Sequence, residues 1–135
     1  MSKLQIDEYC IKILNLLNDI RILKQQLEHH EEEYDRYEHS MFSVTEVIND
    51  ATEQISILEK AIEHQDINSA WSQNALAQIE SYKNDINVQE LNKVSILRSY
   101  NEKKQKITAL KEQILGKEDE IASLKASLDK AGVSY

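Results

Sequence analysis

The feature that most constrains the fold is an apolar stripe in the first half of the chain. Apolar or aromatic residues recur there at alternating spacings of three and four, and His30 alone departs from that character. Because the pattern continues over about eight heptads, it predicts one long helix whose narrow seam packs on another helix. The seam positions are Ile6, Tyr9, Ile13, Leu16, Ile20, Leu23, Leu27, His30, Tyr34, Tyr37, Met41, Val44, Ile48, Ala51, Ile55, Leu58 and Ile62.

A second stripe with the same spacing occupies the second half of the chain, and it is the more polar of the two. The composition agrees with two helices, because the 135 residues include no proline and only two glycines, the residues that most disfavour a helix. We therefore predict an all-α fold. The seam positions of this stripe are Ala75, Ile79, Tyr82, Ile86, Gln89, Lys93, Ile96, Tyr100, Lys103, Ile107, Leu110, Ile114, Lys117, Ile121, Leu124 and Leu128.

A short polar segment separates the stripes and predicts a reversal of the chain. Asp66, Asn68 and Ser69 are residue types that cap helices and tolerate turns, and Trp71 follows them. The prediction is a long antiparallel helical hairpin, a coiled coil, in a single domain over residues 1–135. Arm one covers about 3–65, the turn about 66–71 with Asn68, Ser69 and Trp71, and arm two about 72–131.

The reversal also predicts a register between the arms, which places each residue of arm one opposite roughly residue 137 minus its own number. Charged residues outside the seam agree with it. Glu31 falls opposite Lys106, and Glu33 falls opposite Lys104. Exposed pairs of this kind are weak, about 0.2–1 kcal/mol each, so we expect them to select the register more than to stabilise the fold.

A competing prediction concerns residues 39–44. Ser43 followed three residues later by Glu46 has the pattern of a capping box. A helix that ended there would give a three- or four-helix bundle, and a milder effect would be a kink. The heptad phase passes through Met41 and Val44 without a shift, which favours a continuous helix.

The charge is uneven along the chain. Residues 1–65 hold 14 acidic and 6 basic residues, and residues 66–135 hold ten of each, so the net charge of -8 belongs to arm one. Phosphate binding requires a basic face, so this distribution disfavours nucleic acid and anionic membrane as partners. No apolar run approaches the about 18 residues of a membrane span, so we expect no membrane insertion. The expected location is the cytoplasm, with export in complex with a partner as an alternative.

Residues suited to chemistry are few. His29 and Glu33, four apart on a helix, could share a metal, but two ligands on an exposed face make a poor site. Neither a phosphate-binding glycine loop nor a set of nucleophile, base and orienting group can be assembled. We expect no catalytic residues, no metal and no cofactor, hence no enzyme. His30 is interpreted as a polar layer that sets register, with sensitivity to protonation near pH 6 as the alternative.

Apolar residues outside both seams are the candidates for partner binding. A two-stranded hairpin leaves them in water, and such patches on a polar protein mark contacts with further helices. The expected partner is a protein with exposed helices, or a second copy of the chain; the alternative is a scatter of ordinary surface residues. The candidates are Phe42, Val47, Val88, Leu91, Val94 and Leu97, with Ile11, Leu14 and Leu17 near the start of the chain.

Two resemblances suggest a context. Two helices that reverse at Trp71 resemble the WXG (Esx-type) hairpins and the helical accessory proteins of LXG toxins in type VII secretion, which implies a targeting chaperone or adaptor for helices of a partner. The segments 57–62 and 100–106 are similar to parts of FliJ and related stalk proteins of type III secretion, which implies a hairpin inserted into an export ATPase ring. A structural coiled-coil scaffold subunit is a third hypothesis, because such a role requires only the seam and no further binding surface.

Overall fold

Two long α-helices packed against each other form the fold. In the computed structural model, which describes residues 1–133, α1 spans Lys3–Ile62 and α2 spans Ala70–Lys130. The described residues contain no strand, and the predicted all-α helical hairpin is confirmed. The helices meet the connection slightly differently from the prediction, since α1 ends before residue 65 and α2 begins before residue 72. Trp71 consequently lies in the first turn of α2.

The helix α1 continues through residues 39–44. Ser43 is therefore an interior helical residue and not an N-cap, and the bundle alternative is wrong. The Thr45 hydroxyl donates a hydrogen bond to the Met41 carbonyl at 2.9 Å, inside the helix. The unbroken heptad phase gives the physical reason, because it keeps Met41 and Val44 half-buried on the same seam as the residues before them.

Burial follows the two predicted seams without exception. Every seam residue of both stripes is buried or half-buried. By contrast, all nine candidate partner-binding residues are exposed. A narrow two-helix interface covers only positions a and d of each heptad, which explains why one set is hidden and the other is not.

The hairpin divides into two packing units. Unit 1 consists of residues from Met1 to Tyr34 and the described residues from Glu102 onward. Its core is a cluster of large aliphatic side chains, with Ile6, Tyr9, Cys10, Leu23, Leu27, Leu124 and Val133 packed around it. Two seam pairs expected from the register, Leu23 with Ile114 and Ile13 with Leu124, have both members in this cluster. Its buried members are Ile13, Leu16, Ile20, Ile114, Ile121 and Leu128.

The C-terminal end of α2 closes this core. Gly132 adopts a φ of 73°, a conformation that favours glycine. Its N–H donates to the Asp129 carbonyl at 3.0 Å, and the Val133 N–H donates to the Leu128 carbonyl at 3.0 Å. These two bonds form a Schellman motif, in which Val133 also packs on the cluster that holds the fully buried Leu128.

Unit 2 consists of Asp35–Asn101 and includes the connection between the helices. Its buried residues are mostly small: Ala51, Ser72, Ala75 and Ile79. Seam residues elsewhere in this unit are half-buried. Unit 2 therefore has a thinner apolar interface than unit 1.

Local hydrogen bonds define the connection in unit 2. The Asp66 carboxylate accepts a bond from the Asn68 N–H at 3.0 Å, which is an Asx turn. The Ser69 hydroxyl oxygen accepts a bond from the Ser72 N–H at 3.1 Å, so Ser69 is the N-cap of α2. The side chain of Gln73 donates to the Ile67 carbonyl at 2.8 Å. Asn68 and Ser69 thus lie in the connection where the sequence predicts a reversal.

Candidate protein-binding surface

A groove beside the seam of unit 2 brings together residues from both helices. We call it the Phe42 groove. Phe42 lies next to the seam residue Met41, at position b of the heptad, and Leu97 lies at position e of α2. Both side chains border the seam without entering it, so they form the walls of an open channel. The groove is lined by Glu38, Met41, Phe42, Thr45, Leu97 and Tyr100.

A second groove lies in unit 1, where Leu14 occupies the same heptad position on α1 as Phe42. We call it the Leu14 groove, and its exposed apolar residues are Leu14 at position b and Leu17 at position e. A neighbouring depression contains Lys24 and Glu118, which form an ion pair at 3.9 Å. The Leu14 groove is lined by Cys10, Ile13, Leu14, Leu17 and Lys125.

The remaining candidate residues do not converge on one surface. Four of them on α2 are spaced by three residues: Val88, Leu91, Val94 and Leu97. Because each residue turns the helix by about 100°, this series moves around α2, and its two ends lie on nearly opposite sides of the helix. Val47 occupies position g, on the side of the seam away from Phe42. Phe42 with Leu97, and Leu14 with Leu17, are the sets that share a groove; Ile11, Val47, Val88, Leu91 and Val94 are exposed outside the residues that line these two grooves.

A polar layer interrupts the seam of unit 1. The Lys103 ammonium lies 2.9 Å from Nδ1 of His30, which accepts the bond in the neutral ring, and it also forms an ion pair with Glu33. Nε2 of His29 lies 2.6 Å from the Glu33 carboxylate. The lysine stem lies between the helices while its charged end reaches these partners.

The layer shifts two pKa values in the same direction. Burial, followed by the nearby Lys103 and Lys106 charges, lowers the pKa of His30 below its ordinary value. The hydrogen bond from Lys103 lowers the pKa of Glu33. Both shifts favour the neutral histidine and the ionised carboxylate in the folded protein.

The ion pairing differs from the predicted pairing by one residue. Glu33 pairs with Lys103, not with Lys104, because Lys103 occupies the seam position from which its side chain reaches Glu33. Glu31, Lys104 and Lys106 are exposed, and no ion pair joins Glu31 to Lys106 within residues 1–133. The ion pair of Lys117 with Asp19, at 3.6 Å, is offset from the predicted register by the same one residue.

Sequence reasoning missed two residues of these sites that it could have found. Glu38 and Thr45 both lie at position e, one on each side of Met41, so heptad position alone predicts that they border the same groove as Phe42. The sequence does not reveal how far Leu97 reaches toward Phe42, because that depends on the packed distance between the helices.

Two features, a metal-binding cluster and a membrane-spanning helix, are absent from the described part of the chain. Among residues 1–133, no three His, Cys, Asp or Glu side chains are grouped so that they could hold a metal. Over the same range, neither helix includes a segment that is both long and apolar enough to cross a bilayer. The chain matches no protein-family model, no curated protein and no solved structure.

Proposed function

We propose that this chain is a non-catalytic helical-hairpin adaptor that binds helices of a protein partner through the apolar side chains beside its seam. The observation that carries the proposal is the Phe42 groove, where Phe42 is 65% exposed and Leu97 is 45% exposed. The hairpin buries its seam by itself, so these side chains do not serve its own interface. An amphipathic helix laid in such a groove would remove them from water.

A role as a targeting chaperone in a type VII-like secretion system is the finer form of this proposal. Its support is the layout of two helices that reverse close to a tryptophan, since Trp71 lies in the first turn of α2 and is 46% exposed. In that setting the chain would act in the cytoplasm on a partner destined for export, and export of the complex is the alternative. An export ATPase recovered as the partner would favour the FliJ-like stalk instead.

The proposal is tested by capturing partners with a tagged chain in its source cells, using chemical cross-linking and mass spectrometry. The test variant is Phe42→Ser with Leu97→Ser. The matched control is Ile57→Ser, because Ile57 is also in unit 2 and is 51% exposed but does not line the Phe42 groove. Circular dichroism checks that all proteins remain helical.

The expected result is a partner that the original chain and the Ile57→Ser control both capture and that the double variant loses. Cross-links should connect the partner to residues that border the groove. Equal capture by the folded double variant would contradict the adaptor proposal and favour a structural scaffold that uses its seam alone.

A further inference from the structure

We infer that the Phe42 groove accepts a basic amphipathic helix, with bulky apolar residues on one face and Lys or Arg along its edge. This inference rests on the proposed function, because it specifies the chemistry of the partner that the groove binds. Three observations support it: the charge of unit 2, the charges beside the groove and the contrast with the Leu14 groove.

The first observation is the charge balance of the two units. Unit 2 contains 11 acidic and 5 basic residues, whereas unit 1 contains 13 acidic and 11 basic residues. Most of the net charge of -8 therefore belongs to the unit that carries the Phe42 groove. A negative field of this kind attracts cationic partners and slows the approach of acidic ones.

The second observation is the set of charges beside the groove. Glu38 is the charged residue among those that line it. Asp35 and Glu46 are exposed on the same helix, seven residues before and four residues after Phe42. Basic residues lie in the same stretches of unit 2: Arg36 directly follows Asp35 on α1, and Lys93 and Arg98 lie close to Leu97 on α2. With three acidic residues and one basic residue between Asp35 and Glu46, the α1 wall is acidic on balance, and a bound helix would place its basic edge along that wall.

The Thr45 hydroxyl on the floor of the groove already has a hydrogen-bond acceptor within its own helix. The Thr45 hydroxyl already donates to the Met41 carbonyl at 2.9 Å, and Met41 presents an apolar surface. An occupant therefore gains from apolar contact in the centre and from charge at the rim, the usual division of an interface. A second copy of the chain fits less well, because unit 2 of that copy would bring the same negative charge.

The third observation is the contrast with the Leu14 groove, which supplies an internal control. It presents two exposed leucines on α1, but at position e of α2, where the Phe42 groove has Leu97, it has the charged Lys125. The two grooves therefore offer similar apolar surface with lining charge of opposite sign. A basic helix should select the Phe42 groove.

The test uses two synthetic helical peptides of about 18 residues with leucine at positions i, i+3, i+4 and i+7. One carries lysine at the edge positions and the other carries glutamate, and each has a fluorescent label for anisotropy titrations with the full chain at neutral pH. We expect the lysine peptide to bind at least about tenfold more tightly than the glutamate peptide, and its affinity to fall as salt is raised.

Substitutions in each groove show which groove binds the lysine peptide. Phe42→Ser with Leu97→Ser should lower the affinity for the lysine peptide by about tenfold or more, because the apolar centre of the contact is lost. Glu38→Gln should weaken it severalfold and reduce its salt dependence. Leu14→Ser with Leu17→Ser should leave its affinity unchanged. Circular dichroism confirms that each variant stays helical.

Two results with the variants would overturn the inference. Binding that ignores the Phe42 and Leu97 substitutions, or that falls equally with those at Leu14 and Leu17, would mean a diffuse attraction to an acidic protein. Light scattering that finds a dimer of the original chain and a monomer of the Phe42 and Leu97 variant would mean that a second copy fills the groove.

The failure of this inference is distinguishable from the failure of the proposed function. A cellular partner that depends on Phe42 and Leu97, together with equal binding of the two peptides, would retain the adaptor and overturn the basic helix. If the Phe42 and Leu97 variant still binds both the cellular partner and the lysine peptide, the adaptor proposal and the basic-helix inference are both overturned.

Discussion

The two units of the hairpin share one heptad pattern and use it differently. Unit 1 buries large aliphatic residues such as Ile121 and Leu128 in one cluster, whereas the buried residues of unit 2 are mostly as small as Ala51 and Ala75. Burying an Ile or Leu side chain is worth about 1.5–3 kcal/mol, far more than burying the single methyl of alanine. The comparison teaches that a continuous seam does not distribute stability evenly along its length.

The largest expected effect compares the same substitution in each unit. Ile121 and Ile86 both occupy position a of α2, but Ile121 is buried in the core of unit 1 and Ile86 is half-buried in unit 2. We expect Ile121→Ala to lower the free energy of unfolding by about 2–4 kcal/mol and Ile86→Ala by about half as much. Urea denaturation followed by circular dichroism measures both; equal losses would remove the proposed difference between the units.

The second effect concerns the connection in unit 2. Ser69→Ala removes the hydroxyl that accepts the Ser72 N–H, and it should cost about 1 kcal/mol of unfolding free energy. Ser43→Ala is the matched control, because Ser43 is exposed inside α1 and alanine is the better helix former. We expect the control to be neutral or slightly stabilising in the same urea experiment. A loss at Ser43 as large as that at Ser69 would contradict the uninterrupted α1.

The sequence predicts the fold well because the heptad rule depends only on spacing. Each seam residue, including the polar Gln89 and Lys93, is at least half-buried where the rule places it. The rule also predicts which apolar residues stay outside. It does not predict side-chain reach, and for that reason the pairing of Glu33 with Lys103 and the meeting of Phe42 with Leu97 in one groove required the structure.

The third effect is a pH dependence located in unit 1. The pKa of His30 is lowered from its ordinary value of 6.5, so the unfolded chain binds this proton more readily than the folded one. His30 therefore does not reduce the free energy of unfolding above about pH 6.5, and it reduces that free energy increasingly as the pH drops below this value. Glu33, whose pKa is lowered from 4.5, adds a further loss of stability only below about pH 4.5. Glu33, Lys103, Lys106 and His29 are the charged or titratable groups that act on His30.

Thermal melts at neutral and mildly acidic pH measure this effect. We expect the melting temperature of the original chain to fall on acidification, and His30→Asn to fall less, because the amide accepts a bond from Lys103 without taking up a proton. His64→Asn is the control, since His64 is exposed near the connection in unit 2. An unchanged pH dependence in His30→Asn would remove the polar layer as its source.

The smallest expected effect is on stability when an exposed apolar residue outside the seam is replaced. Leu91→Ser replaces a side chain that is 73% exposed, and it should change the free energy of unfolding by no more than about 0.5 kcal/mol. Leu16→Ser, a buried residue of unit 1, is the contrasting variant and should destabilise the protein strongly. A large loss for Leu91→Ser in urea denaturation would show that this residue serves the hairpin itself.

The position of the aliphatic core also determines the order in which the chain becomes protected during synthesis. All of unit 2 is made before Glu102, so its two helices become available to each other while translation continues. Ile13 and Leu16 are made early but pack in the cluster with Ile121, about a hundred residues later, and contacts so distant in sequence form slowly. The nascent chain therefore carries Ile13 and Leu16 uncovered at least until Ile121 has been made, and apolar surface exposed in this way favours aggregation.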